Sequence, residues 1–195
     1  MYIYLYIMKI FILRHEKRFR NHTFFTSLNE EGIRDSFHLK DKLIECNFQE
    51  IYSSPYKRTI QTIEPYLLSL NKKVKIDYSL NEALTFDEDN SNIKDVNKDD
   101  IYGKNLIDFN YKPFLNFNEL KYPESDSDLI DRSSNFLNHI KQKYDNTNKN
   151  ILLVSHMSTL NGLVGRELMD YYRQGMLTKI YDDELMLPLC FDPIN

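Results

Sequence analysis

At 195 residues the chain suits one domain and leaves no room for two of ordinary size. Hydrophobic residues make up 42 %, enough for a sizeable core, and a formal net charge of −4 argues against a general nucleic-acid binder while allowing local basic pockets. Two cysteines, Cys46 and Cys190, exclude a disulfide framework or a Cys-rich zinc site; they read as buried, inert thiols in a reducing, cytoplasmic setting.

Residues Met1 to Leu13 are very apolar, but the run is too short to span a bilayer and Lys9 interrupts it. No basic stretch precedes it and no small-residue cleavage site follows, so neither a leader nor a membrane anchor is expected. Lys9 to Leu13 already makes a complete buried strand, which leaves Met8 beside Met1 as the alternative start. A first helix follows Leu28-Asn29, with Asn29 as N-cap, Leu28 and Ile33 as a staple, and Ile33, Phe37, Leu43 and Ile44 as its apolar face. A short strand at Glu50 to Tyr52 leads to a second helix starting at Ser54-Pro55, with Ile60, Ile63 and Leu67 inward and Pro65 as a candidate kink.

A third strand spans Val74 to Tyr78. Residues 85–123 are rich in Asp, Asn and Lys and then aromatic, and read as a variable insertion beside the active site. Its aromatic run (Phe109, Tyr111, Phe114, Phe117 and Tyr122) is more readily core than a substrate platform. A helix from about Asp126 to Tyr144 carries Ile130, Phe136 and Ile140; a strand at Ile151 to Val154 precedes a last helix after Ser158, with Leu160, Leu163, Val164 and Leu168 apolar. Strands alternating with helices predict an α/β sandwich with a largely parallel sheet, as one domain over residues 1–195.

Ligands of open α/β sheets sit beyond the carboxyl ends of the strands. Here one strand ends in Arg14-His15, another in Ser155-His156, and a third feeds Arg58 into the first turn of a helix. Two imidazoles and two guanidiniums on one rim suit a phosphate monoester. Phosphoryl transfer is mostly positioning and charge stabilisation, guanidiniums bind the equatorial oxygens, and a neutral imidazole can attack phosphorus. A carboxyl group must then protonate the leaving oxygen and later activate water. His22 and His38 form no ligand spacing with a carboxylate, and His139 reads as surface or packing, so no metal and no cofactor are expected.

Arg14-His15 resembles the Arg-His-Gly signature of the histidine phosphatase superfamily, the phosphoglycerate mutase-like proteins, and Asn21 falls where that motif has its Asn. Ser27 to Gly32 is similar to the start of the family's first helix, and Ser53 to Thr62 to its Ser-Ser-Pro stretch, with Arg58 and Gln61 in register. Leu80-Asn81-Glu82, Pro123-Glu124-Ser125 with Arg132, and Val154-Ser155-His156 resemble the remaining motifs in the family's order, covering roughly residues 9 to 170. The resemblance implies a three-layer α/β/α sandwich of the phosphoglycerate mutase-like kind. It implies a phosphohistidine on His15, phosphoryl binding by Arg14, Arg58 and His156 with help from Asn21, and Glu82 as general acid and base. Met157 and Ser158 stand where the family's other branch has its Asp, so the branch with the acid after the third strand fits.

Glu16 and Met157 replace the glycines that follow the two motif histidines, adding side chains near the pocket that could restrict substrates. Lys17 and Arg18 read as a solvated face or as contacts to a second acidic group of the substrate, and Asp87 and Glu88 are rival proton donors to Glu82. The expected activity is hydrolysis of phosphate monoesters on a small phosphorylated substrate or a phosphoprotein, without nucleic acid or membrane. Alternatives are a phosphoglycerate-type mutase, disfavoured because no tryptophan and no extended mutase pattern is present, or a catalytically inactive binding module of the same fold.

Overall fold

A computed structural model describes residues 8–21, 23–84, 101–164, 175, 177–181 and 184–185. The strands β1 (Lys9–Arg14), β2 (Glu50–Ser53), β3 (Lys75–Ile76), β4 (Asn150–Ser155), β5 (Leu177–Tyr181) and β6 (Glu184–Leu185) form one sheet in the order β3-β2-β4-β1-β5-β6. The first four sheet positions are parallel, and β5 and β6 close one edge antiparallel. The four helices are α1 (Glu30–Cys46), α2 (Lys57–Ser69), α3 (Asp126–Lys143) and α4 (Met157–Val164).

Side chains alternate across a strand, so each central strand feeds two cores. Phe11, Leu13, Leu152 and Val154 pack with Leu39, Leu43, Ile60 and Ile63 of α1 and α2. Ile10, Ile12, Ile151 and Leu153 pack with Phe136, Ile140, Leu160 and Leu163 of α3 and α4. Helices thus cover both faces of a largely parallel sheet, which is the three-layer sandwich expected. No helix among the described residues is long and apolar enough to cross a membrane.

Asn29 caps α1 as expected, its side chain accepting from the Gly32 amide at 2.8 Å. The inward face differs from the expected one. Gly32, Ser36, Leu39 and Leu43 are buried, while Ile33, Phe37 and Ile44 are 43 %, 57 % and 37 % exposed. The reason lies at Gly32, where a Cβ would sit 2.0 Å from the carbonyl oxygen of Lys17. The first turn packs directly on the backbone leaving β1, and only glycine permits that approach. In α3 the inward residues include Leu129, Ser133, Phe136 and Ile140, whereas Ile130 is 48 % exposed.

The third strand is shorter than expected because Tyr78–Leu80 turns into a 3-10 helix. Of the insertion, residues 101–123 are described; Ile107 continues the sheet edge beside Val74. Buried Asp77 fastens this segment, accepting from the Tyr111 hydroxyl at 2.6 Å and the Phe114 amide at 2.7 Å. Four of the five aromatics pack: Tyr111 edge-on to Tyr52, Phe114 stacked on His139, Phe117 against Tyr78, and Tyr122 on the α1–α2 core, while Phe109 is exposed. Cys46 is half-buried; Cys190, Met1 to Ile7, Leu168, His22, Asp87 and Glu88 lie outside the described residues.

Candidate active site

The parallel ladder extends one bond beyond each strand, so the carboxyl ends finish level. His15 donates its amide to the Ser155 carbonyl at 3.1 Å, Ser54 to Val154 at 3.0 Å, and Asp77 to Ser53 at 3.0 Å. His15 leaves β1 and His156 leaves β4, strands paired in register at Arg14 and Ser155. The two imidazoles lie edge to face with centroids 5.3 Å apart, and both residues are buried.

His15 is oriented by its own neighbour. Its Nδ1 lies 2.7 Å from the carbonyl oxygen of Glu16. A carbonyl can only accept, so Nδ1 carries the hydrogen and Nε2 presents its lone pair. The Glu16 amide donates to Thr62 Oγ1 at 2.9 Å, and Thr62 in turn donates to the Arg58 carbonyl at 2.8 Å, tying the His15 loop to α2. Burial, reinforced by the Arg58 charge, holds the His15 pKa well below its ordinary value. His156 is shifted the same way by the same leading causes. Burial thus favours the neutral form of both rings.

Helix α2 was expected to start at Ser54-Pro55; it starts at Lys57, with Tyr56 as N-cap. Ser54 is engaged elsewhere: its Oγ lies 2.9 Å from His156 Nε2 and fixes that ring. Arg58, 1 % exposed, donates from Nη1 to the Thr23 carbonyl at 3.0 Å and from Nη2 to Glu82 Oε2 at 3.5 Å, with its guanidinium 4.5 Å from the centre of the Tyr56 ring. The helix N-termini behind Arg58 and His156 add partial positive charge to the same space. Arg14 is half-buried beside them, its pKa lowered by burial and raised by Glu82.

Glu82 completes the cluster. Its Oε2 is also 3.4 Å from His156 Nδ1, and its side chain is 23 % exposed. Donor atoms of His15, Glu82 and His156, one from each, all lie within 4.8 Å of one another. This trio could hold a metal ion; three distant chain segments supply it, which is why no sequence spacing announced it. The loop carrying Glu82 is clamped from below. Arg132 donates to the carbonyls of Ser79 at 2.8 Å, Asn81 at 3.2 Å and Glu82 at 3.5 Å. Ser155 Oγ donates to the Leu80 carbonyl at 2.6 Å, and Thr159 Oγ1 to that of Asn81.

Of the expected site residues, His15, His156, Arg58 and Glu82 come together in direct contacts, and Arg14 joins them through its charge. Asn21 is exposed; among the described residues its hydrogen bonds run through its carbonyl, which accepts from Arg18 at 2.8 Å and Thr26 at 3.0 Å. Arg18 also donates to the carbonyls of Phe19 and Arg20, so it holds this loop in shape. Lys17 pairs with Glu31 and Asp35 at the start of α1. Gln61 accepts from the Leu28 amide at 2.9 Å, a positioning contact. Glu16 is buried, and its carboxyl group abuts the Gly175 backbone, where a Cβ would meet it. Met157 packs against the α3–α4 core.

A family model described as the histidine phosphatase superfamily (branch 1) matches residues 11–176. No curated protein sequence matches the chain. Among solved structures, the ecdysone phosphate phosphatase of Bombyx mori, crystallised with tungstate, is similar with a TM-score of 0.68 at 16 % identity, covering 97 % of this chain and 95 % of that one. The phosphoserine phosphatase of Entamoeba histolytica in complex with 3-phosphoglyceric acid has a TM-score of 0.60 at 17 % identity, covering 96 % and 98 %. A putative α-ribazole-5′-P phosphatase of Escherichia coli has a TM-score of 0.63 at 20 % identity, covering 93 % and 95 %. These likenesses establish the fold.

Proposed function

The chain belongs to branch 1 of the histidine phosphatase superfamily, and from that premise we propose that it hydrolyses phosphate monoesters through a phosphohistidine on His15. The observation that carries this reading is the 2.7 Å contact from His15 Nδ1 to the Glu16 carbonyl, which leaves Nε2 with its lone pair on a ring clustered with Glu82 and His156. The phosphatases named among the similar structures support hydrolysis, with a small phosphorylated molecule or a phosphoprotein as substrate.

In the reaction, Arg14 and Arg58 bind the equatorial phosphoryl oxygens, and His156 donates a further hydrogen bond to them. His15 Nε2 attacks phosphorus as the ester P–O bond breaks, and Glu82 in its acid form gives its proton to the departing alcohol oxygen. The Glu82 carboxylate then takes a proton from a water molecule. That water's oxygen attacks phosphorus, the P–N bond breaks, and inorganic phosphate leaves with His15 and protonated Glu82 restored. Two arginines neutralise the phosphoryl charge, so the cycle needs no metal.

A panel of monoesters assayed with wild-type protein and His15→Ala tests the proposal. Turnover is expected from the wild type, undiminished by EDTA and inhibited by vanadate as a five-coordinate phosphorus mimic. An acid-labile phosphoenzyme should form only when His15 is present. Near wild-type activity in His15→Ala would overturn the reading.

A further inference from the structure

The donor atoms that await a phosphoryl group are also the ligand set of a transition-metal ion. We propose that His15, His156 and Glu82 bind one Zn²⁺ or a comparable first-row ion, leaving one coordination position open, and that this ion inhibits the enzyme by capping the nucleophile. The inference goes beyond the hydrolytic reading, because the metal takes no part in that cycle.

Two imidazoles and one carboxylate are a common zinc ligand set when a fourth position is left open. One edge of the coordination figure is already built. Zinc–ligand bonds of about 2.0–2.1 Å place tetrahedral ligand atoms roughly 3.3 Å apart, and His156 Nδ1 stands 3.4 Å from Glu82 Oε2. The remaining separations are at most 4.8 Å, so His15 needs to close by roughly 1.5 Å to reach that spacing.

The surroundings have the form metal-binding histidines require. A ligating imidazole engages its other nitrogen with an oxygen that fixes the ring. His15 uses Nδ1 on the Glu16 carbonyl at 2.7 Å, and His156 uses Nε2 on Ser54 Oγ at 2.9 Å. Each ring thereby keeps its other nitrogen free of that contact. Among the described residues His156 Nδ1 is fully buried and has no hydrogen-bond partner, and it lies 3.4 Å from Glu82 Oε2.

Arg58 and Arg14 oppose a cation here, and Arg58 Nη2 shares Glu82 Oε2 at 3.5 Å. Their charge selects an anion, such as chloride, for the fourth position. Nitrogen ligands disfavour Mg²⁺ and Ca²⁺, which take oxygen ligands.

The test is direct binding to the metal-free full chain. Calorimetry with ZnCl₂ should give one tight site absent with MgCl₂, and CoCl₂ should produce the strong visible d–d absorption of four-coordinate Co²⁺. Glu82→Gln, at a partly exposed position and so able to fold, should weaken binding at least 10-fold and diminish that absorption. His156→Ala and His15→Ala should do the same, with circular dichroism reporting their fold. Ser54→Ala, which removes a ring-orienting contact, should cost about 10-fold. Wherever the protein turns over a monoester, Zn²⁺ should inhibit and EDTA should restore the rate. Zinc affinity unchanged by Glu82→Gln and His15→Ala, or the absence of a four-coordinate Co²⁺ spectrum, would overturn the proposal. Because binding is read without turnover, that outcome is distinct from a failure of the phosphatase reading.

Discussion

Glu124 holds the guanidinium of Arg132 through two parallel hydrogen bonds, Nε to Oε1 at 2.6 Å and Nη2 to Oε2 at 2.7 Å. The pair is buried, with side chains 6 % and 3 % exposed. It matters because the rest of that guanidinium serves the backbone of residues 79–82, while Glu124 itself accepts from the Leu84 amide at 3.2 Å. Removing Arg132 leaves a buried carboxylate unpaired, a loss of about 3–5 kcal/mol. Arg132→Lys keeps a charge but loses the fork. Its kcat should fall by about 10²-fold through misplacement of Glu82, with KM little changed. Steady-state kinetics decide this; an unchanged kcat would mean that the clamp does not position the acid.

In the proposed cycle Glu82 has a role separable from that of His15. Glu82→Gln should slow hydrolysis of alkyl monoesters by about 10²- to 10⁴-fold. An activated aryl phosphate needs no proton on its leaving oxygen, so its phosphorylation step should suffer far less. Rapid-quench kinetics with an aryl substrate should show a burst of phosphoenzyme followed by slow hydrolysis. A uniform loss across leaving groups would assign Glu82 to binding instead.

The buried histidines set the acid limb. Their pKa values lie well below the ordinary 6.5, chiefly through burial and then the Arg58 charge. As the proposed nucleophile, His15 should therefore remain available below pH 6.5, and kcat/KM corrected for substrate ionisation should not fall on crossing that value. The same shift has a stability cost. As pH drops below 6.5 the unfolded chain takes up a proton that the folded chain refuses, so stability present above that pH is lost as the solution acidifies. His15→Asn should flatten this loss in denaturation curves taken between pH 6.5 and about 5.

Glu16 acts in the opposite direction. Burial first, and the Asp35 charge second, push its carboxyl group up from 4.5 to about 7. Its neutral form suits the fold, so the stability it contributes is complete below pH 4.5 and is lost as pH rises through about 7. Glu16→Gln keeps the shape without the charge. It should raise stability above pH 7 by up to about 3 kcal/mol and change little in acid. Thermal melts across that range measure the difference; a variant that is destabilised at every pH would refute the account.

Much of the site was readable because its parts are local: apolar runs that stop at Arg14-His15 and at His156, and Arg58 in the turn after a strand. What escaped reading depends on contacts between distant segments. The inward face of α1 was misjudged because close backbone packing puts Gly32 and Ser36 inside and turns Ile33 and Phe37 out. Ser54 looked like a helix cap, and only the fold reveals that it orients His156. Nothing in the sequence sets Asp77 apart from the other acids, although it anchors the aromatic segment. The antiparallel strands β5 and β6 were not anticipated, because short strands at a sheet edge carry a weak periodic signal.

The pairing of β1 with β4 has a consequence for how this enzyme can vary. His15 and His156 each stand one residue past a register-matched pair, Arg14 and Ser155. Their ring separation of 5.3 Å follows the spacing of adjacent strands, about 4.8 Å. The spacing of the two rings thus starts from a dimension of the main-chain ladder, and Ser54 and the Glu16 carbonyl set the ring orientations from there. Residues 23–28, joined to Arg58 through the Thr23 carbonyl, lie off that ladder, so their side chains can vary and change the shape of the pocket without touching it.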